Sequence, residues 1–177
     1  MRFLSGTTKH IHLLRRLVLI ISLLTTFDTV YATNSGQIDL RSVNLEEHAP
    51  ISLDGEWAFY WKKLFTLQQV QQHQPDYFIH FTKVWNKVPQ LKETAKAYGY
   101  ATYHLRLLID AKKTPVLAFS IPSIYTSYRF WVNNTELAHN GIVAKDKDHY
   151  RPQWLPLVQS LAVQKDTLDL VIQIANF

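Results

Sequence analysis

The sequence predicts an all-β fold, an antiparallel β-sandwich with one short helix. Apolar and polar residues alternate in several segments, most clearly at 99–109, and this two-residue period is that of a strand with two different faces. Turn signals separate these segments along the chain, and only one stretch has the composition of a helix. Strands with one apolar and one polar face are typical of antiparallel sheets, because parallel strands are usually buried on both faces.

The first 32 residues predict a signal peptide. Four basic residues, Arg2, Lys9, Arg15 and Arg16, precede an apolar run at 17–24, and Val30-Tyr31-Ala32 places small residues where a signal peptidase cleaves. The apolar run is shorter than the roughly 20 residues of a spanning helix, which favours cleavage after Ala32 over an uncleaved membrane anchor. We therefore expect residues 33–177 to form an exported domain, periplasmic or on the extracytoplasmic face of the inner membrane.

The composition of this domain excludes several function classes. The absence of cysteine excludes disulfides, thiolate metal sites and cysteine nucleophiles. The chain carries 19 basic and 14 acidic residues; the leader holds four of the former and one of the latter, so the domain has a net charge of 15 − 13 = +2. No basic stripe interleaved with aromatic residues remains, and a nucleic-acid partner is not expected.

Before the central strand at 99–109, the pattern predicts further strands and the helix. Trp57 and Phe59 follow the turn signal Asp54-Gly55 and are expected in the core. Residues 62–74 lack Gly and Pro and predict a short helix on the sandwich, ended by Pro75. The other predicted elements are a short strand or docking segment at 38–41, a strand at 77–81, a break at 85–89 and a loop at 91–98.

After the central strand, the pattern predicts a hairpin at 125–141. Tyr128, Phe130 and Val132 alternate with polar or amphipathic residues, and Asn133-Asn134 supplies the turn. The remaining predicted elements are a strand at 116–121, a solvated loop at 145–150, a short extended piece at 154–158 and a last strand at 168–175.

Motifs of common catalytic chemistry are missing from the sequence. It contains no Gly-x-Ser-x-Gly elbow, no phosphate-binding glycine loop and no His-Glu-x-x-His. The histidines after residue 32 are not paired at a metal-ligand spacing, so neither a metal nor a cofactor is expected. Glu46-Glu47 and Glu56 suit solvated positions better than a carboxylate pair for glycoside hydrolysis. We predict a domain that binds or docks and does not catalyse.

Two polar groups are candidates for ligand binding. Arg129 shares a strand face with Trp131, where its guanidinium either clamps a carboxylate or sugar hydroxyls, or simply packs along the indole. His104 and Arg106 share the polar face of the central strand, where they either line a binding surface or face water. The residues alone leave both alternatives open.

Several segments occur in an order that resembles a known family. They are Leu53-Asp54-Gly55-Glu56-Trp57-Ala58-Phe59-Tyr60-Trp61, Trp85 with Pro89, Gly99-Tyr100-Ala101-Thr102-Tyr103-His104-Leu105, Tyr128-Arg129-Phe130-Trp131-Val132-Asn133, Gly141 and Val171-Ile172-Gln173-Ile174-Ala175-Asn176-Phe177. Over about 38–177 the chain resembles the N-terminal extracytoplasmic domain of bacterial seven-transmembrane receptors with diverse intracellular signalling modules.

This resemblance implies a galactose-binding-like jelly-roll and a sensor for carbohydrate or another small ligand, such as a small carboxylate. In such receptors a seven-helix membrane region and a cytoplasmic kinase or cyclase follow the domain. The resemblance therefore implies that the chain ending at Phe177 is either a fragment or a truncated gene product, and that its link to the membrane runs only through that further region.

Two alternative functions stay open. The Gly-Glu-Trp opening and the Trp-Val-Asn hairpin are also similar to the non-catalytic sugar-binding domain of glycoside hydrolase family 2 enzymes, which implies an accessory carbohydrate-binding module. The third class is a structural or partner-docking domain. A transmembrane region encoded downstream would favour the receptor, and a (β/α) barrel the hydrolase.

We expect any ligand site on the concave face of the sandwich and its rim. Arg129 and His104 would supply hydrogen bonds, while Trp131, Tyr100 and Trp85 would supply surfaces on which sugar rings stack. No catalytic residue is predicted.

Overall fold

The computed structural model describes residues 36–48, 50–81, 83, 85–91, 98–121 and 126–177. The signal peptide predicted at 1–32 and most of the loop predicted at 91–98 lie outside the described residues. Within the described ranges the protein is an antiparallel β-sandwich with short helices, which confirms the fold class expected from the alternating pattern.

Short strands dominate the described part of the chain. In chain order the elements are β1 (Gln37–Asp39), α1 (Leu45–His48), β2 (Glu56–Trp61), α2 (Leu67–Gln72), β3 (Tyr77–His80), two 3₁₀ turns (Trp85–Lys87 and Pro89–Leu91), β4 (Gly99–Leu108), β5 (Val116–Ile121), β6 (Ser127–Val132), β7 (Thr135–Asn140), β8 (Leu157–Ala162) and β9 (Thr167–Asn176).

Seven of the described strands form one large sheet. Its order is β3-β2-β4-β9-β6-β7, and β1 runs parallel to the end of β4. The central strands β4 and β9 pair along their whole length, from Gly99 opposite Asn176 to Leu108 opposite Thr167. Strands β5 and β8 form a small second sheet. The chain therefore passes repeatedly between the two sheets, as in a jelly-roll sandwich.

The hydrophobic core lies between the large sheet and the small one. Alternate residues of the large sheet, including Trp57, Phe59, Tyr103 and Phe130, are buried on this inner face. The rings of Phe119 on β5 and Phe130 on β6 meet edge to face with centroids 5.5 Å apart. The prediction that Trp57 and Phe59 belong to the core is confirmed, since they are 2% and 0% exposed.

The other face of β4 is less exposed to solvent than its polar residues predict. Thr102 is fully buried and His104 is 9% exposed, because the segment that follows β2 crosses this face. Phe65 N donates to Thr102 Oγ1 at 2.8 Å, and Gln173 Nε2 donates to the Phe65 carbonyl at 3.1 Å. Thr102 of β4 and Gln173 of β9 are thus partners for the backbone of a covering segment, so this part of the face is not a solvated surface.

Helix α2 is shorter than the predicted range 62–74, because a capping box sets where it begins. Gln69 N donates to the Thr66 hydroxyl, and Thr66 N donates to the Gln69 side chain at 2.9 Å, so two backbone donors at the helix start are satisfied. Val70 is the buried residue of the helix and packs with Ala58 and Tyr60 of β2. No helix in the described part of the chain is long and apolar enough to span a membrane.

The predicted hairpin is confirmed, whereas β8 lies later than the extended piece predicted at 154–158. Strands β6 and β7 pair around Asn133, whose φ of 53° is the left-handed conformation that an Asn-Asn turn tolerates. The hydropathy of strand β8 does not alternate clearly. Its exposed residues Val158, Ser160 and Ala162 include two apolar ones, and its half-buried inward residues include the polar Gln159. The sequence therefore gives little sign of it.

Gly141 permits a close backbone approach after β7, so its replacement by alanine tests this part of the fold. Its φ is +67°, and an added Cβ would lie 2.2 Å from the Arg151 carbonyl oxygen. We expect Gly141→Ala to lower the free energy of unfolding by about 2–4 kcal/mol, measured by urea denaturation. The control Ser160→Ala, at an exposed position of β8, should change it by less than about 0.5 kcal/mol. Equal stability of the two variants would contradict the structure here.

Candidate functional site

The face of the large sheet turned away from the small sheet, here called the outer face, carries most of the polar strand residues. The alternation of β4, β6 and β9 places there the residues that do not enter the core. They are Tyr100, Thr102, His104 and Arg106 of β4, Ser127, Arg129 and Trp131 of β6, and Asp169, Val171, Gln173 and Ala175 of β9.

Strand register brings three of the predicted site residues near one another on this face. Val171 of β9 lies opposite both His104 of β4 and Trp131 of β6, so His104, Val171 and Trp131 form one row across the sheet. Arg129 lies in the adjacent row, opposite Gln173. Because Gln173 binds the Phe65 carbonyl, the covering segment limits which of these side chains a ligand can reach.

A buried carboxylate, Asp169, organises the polar side chains in the middle of the outer face. His104 Nε2 and Arg106 Nε lie 2.8 and 3.0 Å from Asp169 Oδ1. The backbone of Asp169 exchanges two further hydrogen bonds with Asn133, one to the Asn133 side chain at 2.9 Å and one from its backbone N–H at 2.8 Å. The cluster therefore ties β4, β9 and the β6–β7 turn together.

The pKa of Asp169 is set by opposing effects. Burial acts to raise the pKa of this carboxyl, but hydrogen bonds from His104 and Arg106, together with their charges, outweigh it, and the pKa is lowered from its ordinary value. Asp169 is therefore ionised at neutral pH. Its charge is held by two fixed donors, which makes it a rigid hydrogen-bond acceptor at the outer face.

Arg129 is already engaged by its neighbours. Its Nη2 lies 2.5 Å from Glu136 Oε2, and its guanidinium stacks 4.7 Å from the centroid of the Trp131 ring. Glu136 also lies 3.2 Å from His139 Nδ1. The hydrogen bond from Arg129 is the main reason that the pKa of Glu136 is lowered. The packing of Arg129 along Trp131, one of the two alternatives, is therefore present in the structure.

Tyr100 and Trp85 lie apart from the other predicted site residues. Tyr100 is half-buried and packs in a small cluster with Tyr150 and Phe177 at the far end of β4. Trp85 is on the inner face, 8% exposed, and its Nε1 donates to the Tyr103 hydroxyl at 2.7 Å. The five predicted residues therefore do not form one site, because the sheet separates Trp85 from the rest.

The outer face carries a polar groove that sequence reasoning missed. Its volume is about 480 Å³, and it lies between helix α2 and the β6–β7 turn. Four of its eight lining residues carry side-chain amides. The lining consists of Leu67, Gln68 and Gln71 of α2, Asn133 and Asn134 of the turn, Lys165 just before β9, and Thr167 and Asp169 of β9.

The residues of this groove are visible in the sequence, but each has a simpler structural interpretation there. Asn133-Asn134 reads as a hairpin turn, Gln68 and Gln71 read as a solvated helix face, and Asp169 occupies one polar position of the last strand. Only the crossing of α2 over the sheet brings them together.

The chemistry of the groove suits hydrogen bonding to a polar ligand. Each amide offers a donor and an acceptor, Lys165 offers a positive charge and Asp169 a fixed negative one. The described residues contain no group of three or more His, Asp or Glu that could hold a metal ion. The arrangement can bind and orient a molecule that carries hydroxyl or carboxylate groups.

No protein-family model matches the chain, and no curated protein matches it. Among solved structures, the chain is similar to a β-glucuronidase of Faecalibacterium prausnitzii, with 19% identity over 71% of this chain and 20% of that one at a TM-score of 0.47. It is also similar to a glycoside hydrolase family 2 β-galacturonidase of Eisenbergiella tayi, solved with bound galacturonate, with 14% identity over 69% and 18% at a TM-score of 0.44.

A β-D-glucuronidase of Dictyoglomus thermophilum is a further similar structure, with 14% identity over 70% of this chain and 19% of that one at a TM-score of 0.48. The chain thus spans about a fifth of the length of these enzymes. At these identities and TM-scores, the likeness assigns neither a site nor an activity to this chain.

Replacing Asp169 with asparagine tests the buried cluster through the pH dependence of stability. The folded-state pKa of Asp169 is lowered, so its ionised form stabilises the protein above the ordinary value of 3.8, and this contribution is lost as the pH falls through the folded-state pKa. We expect Asp169→Asn to lower the free energy of unfolding by about 2–3 kcal/mol at pH 6, measured by urea denaturation.

This deficit should shrink as the pH falls below 4, since the wild-type carboxyl then becomes protonated too. The control is Asp148→Asn, which removes an exposed carboxylate and should cost less than about 0.5 kcal/mol. A deficit of Asp169→Asn that stays constant from pH 6 to pH 2 would contradict the assigned ionisation.

Proposed function

We propose that this chain is a non-catalytic, extracytoplasmic ligand-binding domain that senses a carbohydrate or a small carboxylate for a seven-transmembrane signalling receptor. The observation that supports a ligand-binding role is the amide-rich lining of the polar groove on the outer face. Four residues with side-chain amides, Gln68, Gln71, Asn133 and Asn134, line it together with Asp169.

A carbohydrate suits this lining because its hydroxyl groups and the side-chain amides can form hydrogen bonds with each other. A sugar hydroxyl both donates and accepts a hydrogen bond, and a side-chain amide does the same. Asp169, held by His104 and Arg106, is an acceptor whose position is fixed before a ligand arrives, which reduces the entropy lost on binding. Lys165 supplies the charge that a sugar acid or a small carboxylate requires.

Trp131 offers the ligand an apolar surface next to the groove. It is half-buried, and it lies on the outer face of β6 two residues before Asn133. Flat indole rings support the apolar faces of sugars, while polar neighbours bind the hydroxyls. In this proposal Arg129 fixes the orientation of the Trp131 ring through their stacking.

The two alternative functions, an accessory carbohydrate-binding module and a structural or docking domain, differ in what this fold would bind. An accessory module of a glycoside hydrolase would also bind sugar in the groove, whereas a structural or docking domain would bind no small molecule. The regions that accompany this domain in the whole protein distinguish the receptor from the glycoside hydrolase. Seven apolar spans following this domain support the receptor, and a (β/α) barrel supports the hydrolase and excludes the receptor.

A thermal-shift screen of the full chain against neutral sugars, sugar acids and small carboxylates tests ligand binding. A ligand present at a hundred times its Kd stabilises the native state by about 2.7 kcal/mol, which gives a clear rise in melting temperature. The affinity for any hit is then measured by titration calorimetry in matched double variants. If no compound shifts the melting temperature, the docking alternative is favoured over the proposal.

Helix α2 offers matched variants for this titration. Gln68→Ala/Gln71→Ala removes two lining amides, and we expect a loss of affinity of about tenfold or more. Gln72→Ala/Gln74→Ala removes two exposed amides that do not line the groove, and it should leave the affinity unchanged. Equal affinities of both variants for a hit would show that the ligand binds elsewhere.

A further inference from the structure

The inner face of the large sheet encloses a second, apolar cavity. The small sheet consists of only β5 and β8, so it covers only part of the wide inner face. A cavity of about 850 Å³ lies between the two sheets and the loops beside them. This volume is within the range of about 300–1,000 Å³ that is usual for sites of small ligands.

The lining of this cavity is mainly apolar, and its two charged residues are Asp54 and Lys113. Aromatic rings come from both sides of the sandwich, with Trp57, Phe81 and Phe130 on one side and Phe119 on the other. Phe81 and Phe119 are only half-buried, so the cavity is reached from solvent and is not a sealed void. Such a surface favours an apolar occupant, because filling it removes hydrocarbon from water.

One polar atom in this lining lacks a partner. Tyr128 is fully buried and lines the cavity, and its hydroxyl makes no hydrogen bond within the described part of the protein. Buried hydroxyl groups are nearly always hydrogen-bonded, since leaving one unpaired loses the bond it had with water. Tyr128 therefore has an unused donor among the residues that line this mainly apolar cavity.

We propose that the cavity between the sheets binds an apolar small molecule that carries one hydrogen-bond acceptor, such as a ketone, ester or ether oxygen, which takes the hydrogen bond from Tyr128. The apolar body of the ligand fills the space among the aromatic rings.

This site is independent of the polar groove. Leu170 lines the cavity and Asp169, its neighbour on β9, lines the groove, so the two sites use opposite faces of the large sheet. A sugar in the groove and an apolar molecule in the cavity would not compete for space. Failure of either proposal therefore leaves the other standing.

The first experiment measures binding of the uncharged fluorescent probe N-phenyl-1-naphthylamine to the full chain. We expect saturable enhancement of its fluorescence. Benzophenone and diphenylmethane, two molecules of similar shape of which only benzophenone has a carbonyl acceptor, then compete for the site. Benzophenone should displace the probe at an about five- to tenfold lower concentration, as one hydrogen bond predicts.

The variant Tyr128→Phe removes the donor and little else. The preference for benzophenone over diphenylmethane should disappear, while the probe itself still binds. The unliganded variant should also melt at the same temperature as the wild type or above it, because it loses an unpaired hydroxyl. A clearly lower melting temperature would show that the hydroxyl is already paired and would overturn the proposal.

Two tryptophan substitutions, one on each strand of the small sheet, locate the probe. Leu117 of β5 lines the cavity, whereas Val158 of β8 is 67% exposed and does not line it. Leu117→Trp fills the cavity and should reduce probe binding at least tenfold, whereas Val158→Trp should leave it unchanged. Equal effects of the two variants, or no saturable binding by the wild type, would overturn the proposal.

The same samples distinguish other occupants of the cavity. Light scattering reports whether the wild type is a dimer that Leu117→Trp converts to a monomer. That result would show that a second copy of the chain covers the inner face, and it would overturn the small-molecule proposal. A wild type whose mass does not change in Leu117→Trp agrees with the proposal.

Discussion

The full-length pairing of β4 with β9 is the constraint on which the rest of the structure depends. Ten residue pairs align these strands, β1 and β2 attach to β4, and β6 attaches to β9. Because side chains alternate, this register decides which residues enter the core and which reach the outer face. A slip by one residue would exchange Leu105 with His104 and Leu170 with Asp169.

The same register makes a buried charge tolerable. Arg106 lies opposite Asp169 and His104 lies two pairs along, on the same face, so both side chains reach a single carboxylate oxygen. A buried carboxylate without such partners would be strongly destabilising. Asn133 joins the cluster through the backbone of Asp169, and its turn supplies two of the amides of the polar groove. The strand register that forms the core consequently also positions the residues of the candidate site.

The two faces of the large sheet are covered unequally. The outer face is crossed by the segment leading into α2, whose backbone is bound by Thr102 and Gln173, and the groove is the space left beside it. The inner face is covered by a sheet of only two strands, and the apolar cavity is the space left there. Adjacent residues of β9 therefore contribute to a polar site and an apolar one.

Local pattern by itself determined the strands other than β8, the hairpin and the core positions of Trp57 and Phe59, because alternation and turn chemistry are properties of neighbouring residues. It also placed Arg129 and Trp131 on one face of their strand. Only the tertiary structure decided that Trp85 lies on the opposite face, that His104 is buried against Asp169, and that the amides of α2 meet the Asn133 turn. These facts depend on contacts between residues far apart in the chain, for which the period of a strand carries no signal.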